Sequence, residues 1–123
     1  MQIAFTFKPS AKPWSTNADR NLSPYERADL IKTWKADAKL HYTSHMNRLK
    51  VRRNLQPGSV QVTIPFNRQP VGDPHNYCGT VLKAIIDGLV AAGAWPDDTA
   101  QYVGHTEPIL IKGDLCVVEV HQR

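Results

Sequence analysis

Acidic side chains are scarce over the first part of this chain, where only Asp19, Glu26, Asp29 and Asp37 oppose twelve lysines and arginines among residues 1–72. Residues 73–123 reverse the balance with seven acids and three bases, so the net charge of +4 splits into +8 and −4. A basic half beside an acidic set points to a polyanion held by one surface and worked on by another. A merely solvated basic face is the plainer alternative. Cysteine is also scarce. Cys78 and Cys116 are too few and too far from other ligand residues for a zinc knuckle, and nothing asks for a disulfide framework, so both are expected to be reduced. Long hydrophobic runs are missing altogether, which argues against a membrane span. Met1 to Phe7 carries neither the basic leader nor the apolar run of a signal peptide. A cytoplasmic protein with no membrane partner is expected.

What is present is one domain's worth of material. With 123 residues and 41% hydrophobic content, the chain can bury one core and is read as a single domain over 1–123. Ile3, Phe5 and Phe7 alternate with polar or small residues and predict a strand that Pro9 and Pro13 end. Ser23-Pro24-Tyr25-Glu26 predicts a helix start, since Ser23 can cap, Pro24 suits the first helical position and Glu26 completes a capping box. Ala28, Ile31, Ala38, Tyr42 and Leu49 are the expected apolar positions of that helix, which runs into the forties. Lys32, Lys35 and Lys39 line one of its flanks, and Gln56-Pro57-Gly58 closes it in a turn.

Val60, Val62, Ile64 and Phe66 predict a second strand over 59–66. From Asn76 to Ala92 a second helix is expected, with Val81, Leu82, Ile85, Leu89 and Ala92 facing the core and Gly93 as a left-handed cap. Asn76, Thr80, Lys83 and Asp87, spaced by four, three and four, are expected on its opposite face. Further strands are predicted near 101–107 and 114–121, the latter with Leu115, Val117 and Val120 among its apolar positions. The order β-α-β-α-β-β implies an α+β, two-layer domain in which helices cover one face of a small mixed sheet.

The chemistry concentrates between Asp73 and Asp98. Hard divalent cations need clustered carboxylate oxygens, and such clusters repel one another unless a cation or substrate compensates. Asp73-Pro74-His75-Asn76, then Lys83, Asp87 and Asp97-Asp98, therefore read as a magnesium site. Each element also has a plain structural reading. Asp73 before Pro74 is a good helix cap, Lys83 and Asp87 form an ordinary helical ion pair, and Pro96-Asp97-Asp98 is a common turn composition. Trp95 is expected in the core or as an aromatic lid. Trp14 is open between core and base stacking.

Lys83-Ala-Ile-Ile-Asp87-Gly-Leu-Val-Ala-Ala-Gly93-Ala-Trp95-Pro-Asp97-Asp98, with Asp73-Pro-His75-Asn76 upstream, resembles the signature of RusA-like Holliday junction resolvases. That pattern runs approximately D-x-D-N, then K, then D-x-L-x-x-A-G, then D-D. The resemblance implies a Mg²⁺-dependent endodeoxyribonuclease that acts as a homodimer in recombination and repair, making paired nicks in a four-way DNA junction. It implies Lys83, Asp73 and Asp98 as catalytic residues, and Asp73, His75 and Asp98 around the metal. Asn76, Asp87 and Asp97 would support them. His75 stands where the pattern has an aspartate, which shifts preference toward Mn²⁺. The gap from Asn76 to Lys83 is longer than the pattern's by about one helical turn.

Independently of that resemblance, phosphodiester hydrolysis needs an activated water, stabilised charge on phosphorus and help for the leaving oxygen, all of which bound cations supply. A lysine among carboxylates stays protonated and serves as a point charge rather than a base. The expected DNA contacts are Lys12, Trp14, Asn17, Arg20, Lys32, Lys35, Lys39, Arg52, Arg53 and Arg68, directed at phosphates rather than base edges. Two other readings stand beside this one: a junction-binding protein with a degenerate metal site, and an α+β interaction module with a basic surface.

Overall fold

Alternation sets the sheet. In a computed structural model that describes residues 2–123, the elements run β1 (Gln2–Phe7), α1 (Thr16–Asp19), α2 (Pro24–Leu49), β2 (Gly58–Phe66), a 3-10 turn (Pro74–Tyr77), a π-helical turn (Cys78–Leu82), α3 (Lys83–Ala91), β3 (Val103–His105), β4 (Ile109–Lys112) and β5 (Cys116–Gln122). Ile3, Phe5 and Phe7 are buried while Gln2, Ala4 and Thr6 are exposed, so β1 presents one face to the core. It pairs antiparallel with β5, Ile3 opposite Val120 and Phe7 opposite Cys116. On its other edge β5 pairs antiparallel with β2, setting Val62 across from Val118. The far edge of β2 carries β3 and β4 end to end, both parallel to it, with Ser59 opposite Gly104 and Ile64 opposite Leu110. Pro108 lies in the break between them; proline has no N–H to give to the ladder.

The domain is α+β with a mixed five-stranded sheet, as expected, and its helices cover one face of that sheet. Three parts of the order differ from the sequence reading, the first being the short helix α1 in the stretch after β1, where no helix is expected. The edge expected as one strand over 101–107 is the short β3 followed by β4, and the last strand begins at Cys116 rather than at 114. Leu115 is consequently outside the strand and 48% exposed, while Cys116, Val118 and Val120 face the core. Cys78 and Cys116 are free thiols. No helix among the described residues is long and apolar enough to cross a membrane.

α2 begins with the expected capping box: Ser23 Oγ accepts from the Glu26 N–H and Glu26 accepts from the Ser23 N–H, each at 3.0 Å. Its buried stripe is Trp34, Ala38, Tyr42 and Met46, one residue every four, the i, i+4 ridge that packs against neighbours. Ile31 and Leu49, expected on that face, are 38% and 54% exposed, and Ala28 is exposed too. They fall off the ridge because its spacing selects Leu30 and Trp34 instead. α3 crosses close to α2 at Gly88, where an added Cβ would meet the Lys35 carbonyl oxygen at 2.5 Å and the Ala38 Cβ at 2.8 Å. α3 ends as its sequence predicts. Gly93 adopts φ +96°, its N–H donates to the Val90 carbonyl and the Ala94 N–H reaches back to Leu89, the Schellman arrangement that glycine permits.

The segment leading into α3 is not the uniform helix that its apolar spacing predicts. A 3-10 turn and a π-helical turn precede Lys83, and the changed winding rotates Thr80 inward. Thr80 is 5% exposed, and its hydroxyl donates to the Trp14 carbonyl at 2.6 Å. It therefore leaves the outward row that Lys83 and Asp87 keep. Single π turns occur in helices frequently at functional sites.

Candidate functional site

Lys83 is the centre of the arrangement. Its ammonium donates to Asp87 Oδ1 at 2.8 Å, across one turn of α3, and to Asp98 in the loop that follows. The three side chains are 51%, 31% and 40% exposed, so water reaches all of them. Two forces fix the geometry locally: helical pitch puts Asp87 one turn beyond Lys83, and the Gly93 cap turns the chain so that Asp98 comes back over α3. Trp95 helps hold that return. It is buried, and its indole N–H donates to the Gln56 carbonyl at 2.9 Å. Asp97 accepts from the Thr99 N–H at 2.9 Å, a short local turn.

Lys83, Asp87, Asp97 and Asp98 line a shallow recess of about 400 Å³ together with Lys35 from α2. Bonding to Asp87, then to Asp98, raises the Lys83 ammonium above its usual range. The Lys83 hydrogen bond in turn lowers the Asp98 carboxyl. Lys83 is therefore a fixed positive charge at neutral pH and not a proton acceptor. Lys32 and Lys39 are exposed one turn either side of Lys35, so the basic stripe of α2 runs past the recess.

Asp73 and His75 take other partners. Asp73 caps the 3-10 turn by accepting from the His75 N–H at 3.0 Å, and the His75 ring lies 3.9 Å from Glu107. The thiol of Cys78 is pushed up chiefly by burial, with Glu107 and Asp73 adding to it. Ten residues of mostly helical path, on the order of 15 Å, separate Asp73 from Lys83, and Asp73 does not line the recess. Asn76 sits between the two ends, its carbonyl accepting from the Thr16 hydroxyl at 3.0 Å.

Among the expected DNA contacts, Lys12, Asn17, Arg20, Lys32, Lys35, Lys39, Arg52, Arg53 and Arg68 are exposed. Trp14 is not. It is 5% exposed and its indole N–H donates to Asp19 at 3.1 Å, so its ring belongs to the core and is closed to a base. Composition alone could not separate the two, since the Thr80 hydroxyl that holds the Trp14 backbone comes from 66 residues away. Sequence reasoning missed Glu107, which follows no motif and reaches His75 only through the break between β3 and β4.

The donor chemistry of the recess fits a hard divalent cation, because Asp87, Asp97 and Asp98 offer partly exposed carboxylate oxygens and nothing soft. Among the described residues no three His, Cys, Asp or Glu side chains already converge within ligating reach. Lys83 draws two of the three carboxylates to itself, and holding an ion would require them to turn from it. No protein-family model and no curated protein matches this chain, so the site is read from its own residues.

Proposed function

We propose that the chain is a metal-dependent, structure-selective DNA endonuclease that resolves four-way junctions by paired phosphodiester hydrolysis as a homodimer. The observation that carries this reading is the Lys83 ammonium held between Asp87 and Asp98, beside Lys35, on a recess that the basic stripe of α2 borders. A phosphodiester entering the recess exchanges a carboxylate partner of Lys83 for a non-bridging phosphate oxygen. Lys83 then neutralises charge as it grows on the pentacoordinate phosphorus, which fixed donors do at little reorganisation cost. Asp87 stays hydrogen-bonded and aims the ammonium, while Asp98, released from it, turns toward the phosphate's far side. Asp97, together with Asp98 once released from Lys83, would hold Mg²⁺ or Mn²⁺, which would activate water and stabilise the leaving oxygen. Lys32, Lys35 and Lys39 position the duplex through its phosphates. Two copies related by a twofold axis match the symmetry of the junction, whose like-polarity strands are cut in pairs.

A second reading has its own observation. Asp73 and His75, which the RusA-like resemblance includes in the metal set, stand outside the recess, as they would in a junction-binding protein that no longer cleaves. A labelled four-way junction incubated with the protein and Mg²⁺ or Mn²⁺ separates the two. Symmetric nicks that vanish with chelator and in Asp98→Asn, with the junction still retarded in a gel, are expected. Retardation without nicks in either metal selects the binder.

A further inference from the structure

A second cleft, of about 530 Å³, opens between the chain leaving β1 and the chain leaving β2. It does not include Lys83 or any residue of the acidic recess. Lys8 and Lys12 stand on one wall, and Arg68 stands on the other with Asp114 as the single acid. All three cations are exposed, and none forms an ion pair among the described residues. Three positive charges against the one Asp114 carboxylate leave the concavity with a positive excess that attracts an anion.

The walls are fixed before any ligand arrives. Asp37, a carboxylate only 9% exposed on α2, accepts from the Ser10 N–H at 2.8 Å and from its hydroxyl at 2.9 Å. The Trp34 indole donates to the Lys12 carbonyl at 3.3 Å. On the opposite wall the Gly113 N–H donates to the Phe66 carbonyl at 3.0 Å. Pro9, Pro13, Pro65 and Pro70 stiffen the lining further. A buried carboxylate spent on one loop serine makes sense as a device that holds Lys8 and Lys12 in place. Between the cationic rims lie flat apolar surfaces, the proline rings and Phe66, whose ring is braced edge-on by Tyr77 at 5.4 Å.

From this geometry we infer that the cleft binds a segment of single-stranded nucleic acid, with Lys8, Lys12 and Arg68 on its phosphates and a base laid against Phe66. Cations tracking a backbone beside a stacking surface are what unpaired strands require, whereas a paired duplex keeps its base faces inside. The inference rests on the cleft and not on the Lys83 chemistry, so the two fail separately: loss of nicking leaves this binding intact, and the reverse.

The test is fluorescence anisotropy of the full chain with a labelled thymidine oligonucleotide, a duplex of the same length and a labelled thymidine monophosphate. Replacing Lys8, Lys12 and Arg68 together by Gln is expected to weaken single-strand binding by on the order of tenfold to a hundredfold at about 0.1 M salt. The slope of log affinity on log salt should flatten by about 2. A charge-matched variant with Gln at Arg48, Lys50 and Arg123 should stay within about twofold, since those residues lie away from the cleft. Phe66→Leu, which keeps an apolar side chain against Tyr77, should lose roughly tenfold with the salt slope unchanged. Equal losses in both charge variants would overturn the inference. So would a triple variant that weakens duplex binding as much as strand binding, or a monophosphate that binds as well as the oligonucleotide.

Discussion

The two ends of the segment from Asp73 to Asp98 carry the same residue types and use them differently. At the first end Asp73 bonds backbone, closing the 3-10 turn, and His75 reaches only a distant, exposed Glu107. At the second end Asp87 and Asp98 bond a charge, the Lys83 ammonium, which they raise and which in turn lowers Asp98. Carboxylates with equal standing in a motif therefore differ in what their oxygens are free to do. Asp73 closes its turn outside the recess, while a carboxylate that balances an ammonium can be displaced by a phosphate or captured by a cation at modest cost, because all members are partly in water.

The largest effect separating the ends should be on cleavage. Lys83→Ala is expected to reduce junction nicking by about a hundredfold to a thousandfold, the usual cost of one transition-state donor, with junction affinity retained. Asp73→Asn should cost less than about tenfold in the same assay, because the asparagine still caps the turn. Comparable losses in the two variants would merge the ends into one site.

Next comes packing at the second end. Gly88→Ala should destabilise by roughly 1–3 kcal/mol in denaturant unfolding, since the new methyl meets the α2 backbone at 2.5 Å. Nicking should fall with it as α3 shifts Lys83 and Asp87 against Lys35. A neutral or stabilising result would mean that α2 gives way freely. At the first end Asp73→Ala should cost about 1 kcal/mol, a lost cap, and leave Lys83 unaffected.

The smallest effect is on stability against pH. Lys83 is raised by its partners, so its contribution is complete below the ordinary lysine value and fades as pH rises through the higher folded value. Asp98 is lowered, so its contribution is complete above the ordinary aspartate value and fades as pH falls through the lower folded one. Neutral pH lies inside both windows. The pair's contribution should be flat there and decline only in acid or strong alkali, and Asp98→Asn should remove the acid limb that this pair causes. An unchanged acid limb in that variant would show that other carboxylates produce it.

Much of this was legible because the signals are local. The capping box at Ser23, the strand alternation at Ile3 and Val60, the Gly93 cap and the Lys83–Asp87 pair each depend on residues within about one turn of each other. What escaped depends on distant chain. Thr80 turns inward to the Trp14 carbonyl, a partner 66 residues away, and β4 exists because β2 presents an unpaired edge at Thr63 to Phe66. Ile31 and Leu49 fit a helical period as well as their neighbours do, and only the i, i+4 packing on the sheet selects Trp34 and Met46. The site divided similarly. Lys83, Asp87 and Asp98 meet through a turn that the sequence announces, whereas the motif's Asp73 depends on a winding change that residue spacing does not reveal.

Titration of Lys83 by NMR, with ¹³C-labelled lysine in the intact protein and in two variants, measures the charge triangle most directly. The Lys83 value should lie above that of the exposed lysines in the unmodified protein, drop in Asp98→Asn and stay unmoved in Asp73→Asn. An ordinary Lys83 value in the unmodified protein, or equal drops in both variants, would contradict an ammonium held by Asp87 and Asp98 alone.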